Sequence, residues 1–225
     1  MRRTSLYLVS TAMAAITAIA LVACSGMTGT PQSKMSFFLT SANAGKGADF
    51  GGLAGADRYC QSLAASAGAG GKTWRAYLSS SAMAGSPAVN ARDRIGSGPW
   101  INVKGEQIAS SVDDLHGPNN KLSKQTALTE KGETISGRGD PVNLHDILTG
   151  STADGRAVSD DKDNTCGNWT KSGDGSAIVG HHDRVGLNDS APMKSWNASH
   201  ATQGCSIDAL KRTGGGGLMY CFAQN

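Results

Sequence analysis

The sequence predicts an α+β domain that is rich in loops, and three observations lead to this prediction. Residues 53–67 carry apolar side chains three or four positions apart, which is the spacing of one helix face. Several short segments along the chain alternate, or are continuously apolar, in the manner of strands. Glycine is abundant, at 30 of 225 residues, while aromatic residues make up 5%. Such a composition favours many irregular connections, because glycine adopts backbone angles that other residues avoid.

The first half of the domain contains most of the predicted regular structure. The helix at residues 53–67 places Cys60, Leu63, Ala64 and Ala67 on one face. It follows a predicted strand at residues 35–40 and a glycine-rich loop at residues 41–52, and glycines at 68–71 end it. The next predicted elements are a strand at residues 74–80, a short helix at residues 88–95, and a hairpin formed by residues 100–103 and 107–109.

The second half has a weaker pattern. Residues 110–144 are polar and aperiodic, so they predict long loops with short strands. Residues 148–151 lead through the Asp-Gly-Arg sequence at 154–156 to CGNW at 166–169, and a further loop region runs to Cys205. Residues 218–222 (LMYCF) predict a final strand, because they are apolar and aromatic throughout.

The N-terminal segment predicts export. Two arginines, Arg2 and Arg3, precede an apolar stretch at about residues 6–22, as in a secretory signal. The stretch ends in Leu-Val-Ala-Cys, which resembles the lipobox of bacterial lipoproteins. The resemblance implies cleavage before Cys24 and a diacylglycerol on its sulfur, so residues 1–23 are the expected signal peptide and residues 24–34 a lipidated tether. Residues 35–225 are then the globular domain.

Charge and cysteine content narrow the function classes. Removing residues 1–23 takes away two arginines and no acid, so the net charge falls from +3 to about +1. A nearly neutral domain lacks the basic surface expected of a nucleic-acid partner. Four cysteines remain beside Cys24, namely Cys60, Cys166, Cys205 and Cys221. In an exported chain they predict two disulfides, and the count alone leaves three pairings open.

Several segments resemble one known family in order and spacing. Residues 55–80, residues 99–108 (PWINVKGEQI) and residues 148–169, which end in CGNW, resemble successive parts of the endostatin domain of certain collagens. The opening FFLTS, the GHHDR stretch and the YCFA ending are similar to a family of exported bacterial lipoproteins described as endostatin-like and lectin-like. The resemblance implies a C-type-lectin-like fold in its endostatin-like variant. It also implies nested disulfides, Cys60–Cys221 and Cys166–Cys205.

The residues depart from that family at its metal sites. Calcium-dependent lectins of this fold use carboxylates in two loops, and the nearest matches here, residues 117–119 (GPN) and 196–198 (WNA), have none. Calcium requires six to eight oxygen ligands, several of them charged. Endostatin binds zinc through histidines near its N-terminus, but no histidine precedes His116 in this chain. Neither calcium nor zinc is therefore expected on the strength of the resemblance.

One group of titratable residues remains a candidate for a transition metal. His181, His182, Asp183 and His200 are the densest such set, and imidazole and carboxylate suit zinc. Adjacent histidines on an extended segment point to opposite faces, so only one of the pair is expected to join His200.

Aromatic residues supply the candidate ligand-binding residues. Trp74, Trp100 and Trp169 fall in segments expected in the core. Trp196 lies in the loop sequence SWNASH, where an exposed ring could stack on a sugar. The predicted ligand-binding residues are Trp196, Asn197, His200 and Asp183.

The sequence therefore predicts a non-enzymatic binding module of the cell envelope, held to a membrane by lipid and directed to glycans or extracellular polymers. Two alternatives remain open. One is a structural envelope lipoprotein that binds other proteins, and the other is a metal-dependent hydrolase built on the histidine and aspartate group. In a Gram-negative host, Ser25 after the lipidated cysteine implies the outer membrane or the cell surface.

Overall fold

A computed structural model of the chain describes Met1, residues 33–44 and residues 46–224. The chain divides into two units, Met1–Thr30 and Pro31–Asn225, and the described helices and strands all lie in the second. The signal peptide and the lipidated Cys24 that the sequence predicts lie outside the described residues. Within the described part, no helix has the length and apolar character needed to cross a membrane.

The second unit is a mixture of helices and strands, in agreement with the predicted α+β class. The strands are β1 (Phe37–Leu39), β2 (Thr73–Ala76), β3 (Trp100–Ile101), β4 (Gln107–Ala109), β5 (Asp146–Leu148), β6 (Ile178–His181), β7 (His200–Ala201) and β8 (Gly215–Gln224). The helices are α1 (Gly52–Ser66), α2 (Val112–His116), α3 (Cys166–Trp169) and α4 (Ile207–Thr213). Two turns of 3-10 helix lie at Ala91–Asp93 and Pro192–Lys194. All four residues of α3 have positive φ, so it is one left-handed turn.

Strand β8 is the centre of the main sheet. The sheet has the order β1-β8-β5-β6-β7, and β2 also pairs with β8, while β3 and β4 form a separate hairpin. Strands β1 and β2 run antiparallel to β8 along its C-terminal half. Strand β5 runs parallel to β8 along its N-terminal half. Three strands of this sheet, β1, β2 and β5, therefore pair directly with β8.

The two faces of β8 bury two different sets of side chains. Met219, Cys221 and Ala223 point into a core that includes helix α1, whereas Leu218, Tyr220 and Phe222 point into a second, more aromatic core. This division follows from the alternation of side chains along an extended strand. A strand that is apolar on both faces must be covered on both sides, as β8 is.

Several sequence predictions agree with these elements. Helix α1 lies within one residue of its predicted bounds, the first and last strands are present, and the hairpin forms as expected. Trp74, Trp100 and Trp169 are buried, as expected.

Other predictions were incomplete. Residues 110–144 contain the short helix α2, and their only bridges are isolated ones. The predicted loop region before Cys205 contains strand β7, while strand β6 and helix α4 were not predicted.

Both disulfides have the nested arrangement, Cys60 with Cys221 and Cys166 with Cys205. The outer bridge joins α1 to β8, and it closes a separation of 161 residues. The inner bridge closes 39 residues. On the chain-entropy model these loops contribute at most about 5 and about 4 kcal/mol to the free energy of unfolding. The outer bridge therefore fixes the main helix against the central strand.

A buried ion-pair network holds α1 against the start of the sheet. Asp57 accepts hydrogen bonds from the guanidinium groups of Arg75 and Arg94 and from the backbone N–H of Ala76. The Asp57 and Arg94 side chains are only 10% and 12% exposed. A carboxylate in this position is stabilised by its partners, and the partners in turn depend on its charge.

We predict that Asp57→Asn lowers the free energy of unfolding by about 3–5 kcal/mol, because it leaves the Arg94 charge buried without a counter-charge. Chemical denaturation with the disulfides intact measures the change. Asp113→Asn is the matched control, since Asp113 pairs with Arg92 but is 92% exposed on its side chain. The control should cost less than about 1 kcal/mol, and equal losses in the two variants would contradict the prediction.

Candidate metal centre

Three neighbouring strands bring one carboxylate and two imidazoles together at one end of the sheet. Asp146 begins β5, His181 ends β6, and the two are direct antiparallel partners. His200 begins β7 and pairs with Val179, two residues before His181. Side chains two positions apart on a strand share a face, so His200 lies diagonally across from His181 on the Asp146 side.

The three side chains converge to a small triangle. The Nε2 atoms of His181 and His200 are 3.1 Å apart. The Oδ1 atom of Asp146 lies 3.3 Å from the His181 Nε2 atom and 3.5 Å from the His200 Nε2 atom. The Asp146 and His181 side chains are 1% and 2% exposed, whereas that of His200 is 29% exposed. The triangle is thus buried on two sides and open beside His200.

The opposite nitrogen of each imidazole is already committed as a donor. The His181 Nδ1 atom lies 2.8 Å from the Met193 carbonyl oxygen, and the His200 Nδ1 atom lies 3.1 Å from the Ala201 carbonyl oxygen. A carbonyl oxygen only accepts, so each Nδ1 carries the hydrogen. In the neutral imidazole the Nε2 atom is then an acceptor, with its lone pair directed away from the carbonyl.

Three acceptor atoms therefore face one another, which is unfavourable without a cation. Both carboxylate oxygens of Asp146 are buried, and neither accepts a hydrogen bond from a described residue. A buried carboxylate without partners costs several kcal/mol. One proton can lie between only two of the three acceptors, whereas a metal ion bonds to all three. The arrangement therefore favours a metal ion over a proton.

Contacts within the triangle shift the pKa values of Asp146 and His200. Burial would raise the pKa of the Asp146 carboxyl, but the neighbouring His181 and His200 outweigh it and hold that pKa below its usual value. The contact with Asp146 raises the pKa of His200, against the effect of burial. Asp146 is therefore an anion at neutral pH, and the site attracts positive charge.

The distances match the ligand shell of a tetrahedral metal. Ligands about 2.0–2.1 Å from zinc, at tetrahedral angles, are about 3.3–3.4 Å apart. The three separations among Asp146, His181 and His200 are 3.1, 3.3 and 3.5 Å. Imidazole nitrogen and carboxylate oxygen are both ordinary zinc ligands. This set can hold zinc with three protein ligands and one open position.

His145 completes the group but occupies a different role. Its Nε2 atom lies 3.2 Å from Asp146 Oδ1, and its Nδ1 atom lies 3.2 Å from Asp183 Oδ1. Its ring stacks on that of His181 with centroids 4.1 Å apart and planes within 10° of parallel. Its Nδ1 atom is held by Asp183 and its Nε2 atom lies beside the ligand triangle, so we assign His145 to the outer shell of the site.

Asp183 anchors His145 in turn. One Asp183 oxygen accepts from His145 and from the backbone N–H of Val185, and the other accepts from the backbone N–H of Arg138. Burial would raise the pKa of Asp183, but these hydrogen bonds outweigh it and the pKa lies well below its usual range. Gly137 permits the close approach, because a Cβ there would lie 2.6 Å from the second Asp183 oxygen.

The structure brings together only some of the metal-site residues that the sequence predicts. His181 and His200 meet, as the alternation along a strand predicts, while His182 lies apart, with its Nε2 atom near the Ser136 carbonyl oxygen. Burial lowers the pKa of His182, which favours its neutral form. Asp183 belongs to the outer shell rather than to the ligand triangle.

Sequence analysis missed His145 and Asp146. They stand together just before an apolar segment, in the sequence LHDIL. The available signal was a histidine followed by an aspartate at the start of a buried strand, which is similar to the HHD sequence at residues 181–183.

The expectation that Trp196 is exposed was wrong. Its side chain belongs to the aromatic core, and its ring centroid lies 4.8 Å from that of Tyr77 and 5.3 Å from that of Tyr220. Asn197 is buried as well, and its amide donates to the Tyr77 hydroxyl and to two backbone carbonyls. The Tyr220 hydroxyl also donates to the Trp196 carbonyl, which ties this loop to the aromatic core. With Trp196 only 3% exposed, its ring does not present a face to solvent on which a sugar could stack.

A cleft of about 480 Å³ opens beside the triangle. Its walls include all three histidines of the group, His145, His181 and His200. The volume lies within the range of small-molecule sites, about 300–1,000 Å³. A metal held by the triangle would therefore be reachable from solvent.

Comparison with models of known protein families and with curated proteins finds no match for this chain.

We predict that Gly137→Ala lowers the free energy of unfolding by about 1–3 kcal/mol, because the new methyl group collides with the buried Asp183 carboxylate. Gly173→Ala is the matched control, since a Cβ at that position meets nothing within 4 Å. Denaturant titration of both variants measures the difference. A Gly137→Ala protein as stable as the control would show that the carboxylate is not confined as described.

Proposed function

We propose that this chain is a metal-binding module of the bacterial cell envelope, in which Asp146, His181 and His200 hold one divalent transition metal ion. Zinc is the expected metal, because the separations fit its tetrahedral shell and the ligands are nitrogen and oxygen. The observation that carries the proposal is the convergence of three acceptor atoms within 3.5 Å, with both Asp146 oxygens buried and accepting no hydrogen bond from a described residue.

We propose the cellular location and the fold that the sequence predicts. An oxidising compartment agrees with two disulfides, and we propose export and lipid attachment at Cys24 on the N-terminal pattern. We also propose a C-type-lectin-like fold in its endostatin-like variant. Support comes from the nested bridges and from the pairing of the first strand with the last. Function does not follow from fold, so the metal site carries the functional part of the proposal.

Binding is favoured over hydrolysis at this site. Metal-dependent hydrolysis is assisted by a group that is free to take a proton from metal-bound water. Asp183 already accepts hydrogen bonds from His145, Arg138 and Val185. His145 lies between the carboxylates of Asp146 and Asp183. The polar groups around the triangle are thus engaged in holding it, which suits a site that binds a ligand.

We expect the purified protein with intact disulfides to retain about one zinc ion per chain after dialysis, measured by elemental analysis. Added zinc should raise the melting temperature of the metal-free protein, because the ion binds the folded state. His200→Ala should abolish both effects. His145→Gln should weaken zinc binding by about 10–100-fold, as expected of an outer-shell residue.

His182→Gln is the control for these variants, because His182 adjoins His181 in sequence but contacts the Ser136 carbonyl instead. It should retain full zinc stoichiometry. A wild-type protein that binds no zinc, cobalt or nickel would sink the proposal and leave a histidine and aspartate cluster that only shares protons. Loss of zinc in the control but not in His200→Ala would contradict the ligand assignment.

A further inference from the structure

The cleft beside the metal triangle has an unusual distribution of charge. Two arginines, Arg138 and Arg212, line it together with the three histidines, and no aspartate or glutamate is among the described residues that line it. The metal would add further positive charge. A concave site with cations on its walls concentrates anions.

Both arginines are available to a ligand. Arg138 is exposed, and its guanidinium forms no ion pair or hydrogen bond with any described residue. Arg212 is also exposed, and among the described residues it donates only to the Gln203 amide oxygen, at 3.2 Å. Lone arginines at the wall of a cleft are suited to a carboxylate or phosphate, which the planar guanidinium can bind through two hydrogen bonds.

The elements around the site hold these arginines in place. Arg138 follows Gly137, and its own backbone N–H donates to Asp183. Arg212 lies in the last turn of α4, which Ser206 caps at its N-terminus and which leads through Gly214 into β8. Arg138 is therefore tied to the outer shell of the metal site, and Arg212 lies on the helix that leads into β8, the strand that pairs with Asp146.

The remaining walls indicate an organic ligand. Leu187 is 78% exposed, and it lines the cleft together with Met193. An exposed leucine at the mouth of a charged cleft offers an apolar contact that inorganic phosphate cannot use. A carboxylate attached to an apolar body satisfies both the cations and this wall.

The open coordination position completes the recognition. Three protein ligands leave one place on a tetrahedral zinc ion, and the partly exposed His200 is the ligand that faces the cleft. A carboxylate oxygen is an ordinary zinc ligand, so it can occupy this place by displacing water, with no covalent step.

We propose that this cleft binds a small organic carboxylate, with one carboxylate oxygen on the open metal position, Arg138 and Arg212 beside the carboxylate, and the body of the ligand against Leu187 and Met193. This inference rests on the proposed function, since it uses the metal held by Asp146, His181 and His200.

Cobalt substitution tests it, because the visible spectrum of bound cobalt reports both metal binding and a change of ligand. The full protein is loaded with cobalt and titrated with acetate, benzoate and inorganic phosphate. We expect benzoate to change the spectrum at a lower concentration than acetate, and phosphate to require the highest. Arg138→Gln and Arg212→Gln should each keep the cobalt and weaken benzoate binding by about tenfold.

Lys211→Gln is the matched control, since Lys211 precedes Arg212 on α4 but does not line the cleft. It should leave benzoate binding unchanged. Cobalt bound one to one with no response to any of the three anions would overturn this inference and leave the metal site intact. A response to phosphate stronger than that to benzoate would overturn the organic carboxylate. Failure to bind cobalt at all would overturn the proposed function and this inference with it.

Discussion

The parallel pairing of β5 with the start of β8 is the interaction on which the candidate site depends. The backbone N–H of Asp146 donates to the Gly214 carbonyl, and Asp146 is paired with Gly215. A Cβ at Gly215 would lie 3.1 Å from the Asp146 Cβ, so glycine there leaves room for this residue. The same strand, β8, carries Cys221, which the outer disulfide ties to α1. The scaffold that packs the two cores thus also fixes the carboxylate.

A buried carboxylate in that position needs a cation, and the surrounding residues build the place for one in layers. His181 and His200 bring acceptor nitrogens toward Asp146 because their Nδ1 atoms are held by backbone carbonyls. His145 links Asp146 to Asp183, and the backbone around Gly137 links Asp183 to the loop before β5. Such outer contacts orient metal ligands and reduce their freedom before the ion binds. Buried charged groups are concentrated at functional sites, although burying a charge is unfavourable in itself.

The sequence could predict the elements whose signals are local. Helix α1 has a clear face, and β8 has a run of apolar and aromatic residues, so both were found. The nested disulfides came from family resemblance, since four cysteines alone leave three pairings open. Helix α4 had usable signals, namely Ser206 as a cap, an acid in its first turn and Gly214 at its end.

The site itself could be predicted only in part. Alternation along a strand correctly separated His181 from His182, but it could not supply Asp146 as their partner. That contact depends on the register between β5 and β6, which joins residues 35 positions apart in the chain. The predicted exposure of Trp196 was wrong for a similar reason. Its loop is polar in sequence, yet the ring packs against Tyr77 and Tyr220 in the core. Long-range packing, which the local pattern does not encode, decided both cases.

The most direct test of the central claim is a crystal structure of the zinc-loaded protein, with diffraction recorded on both sides of the zinc absorption edge. The account predicts one anomalous peak about 2.0–2.2 Å from Asp146 Oδ1 and from the Nε2 atoms of His181 and His200, with His145 still bonded to Asp183. A peak elsewhere in the domain, or no peak in protein crystallised with excess zinc, would contradict it.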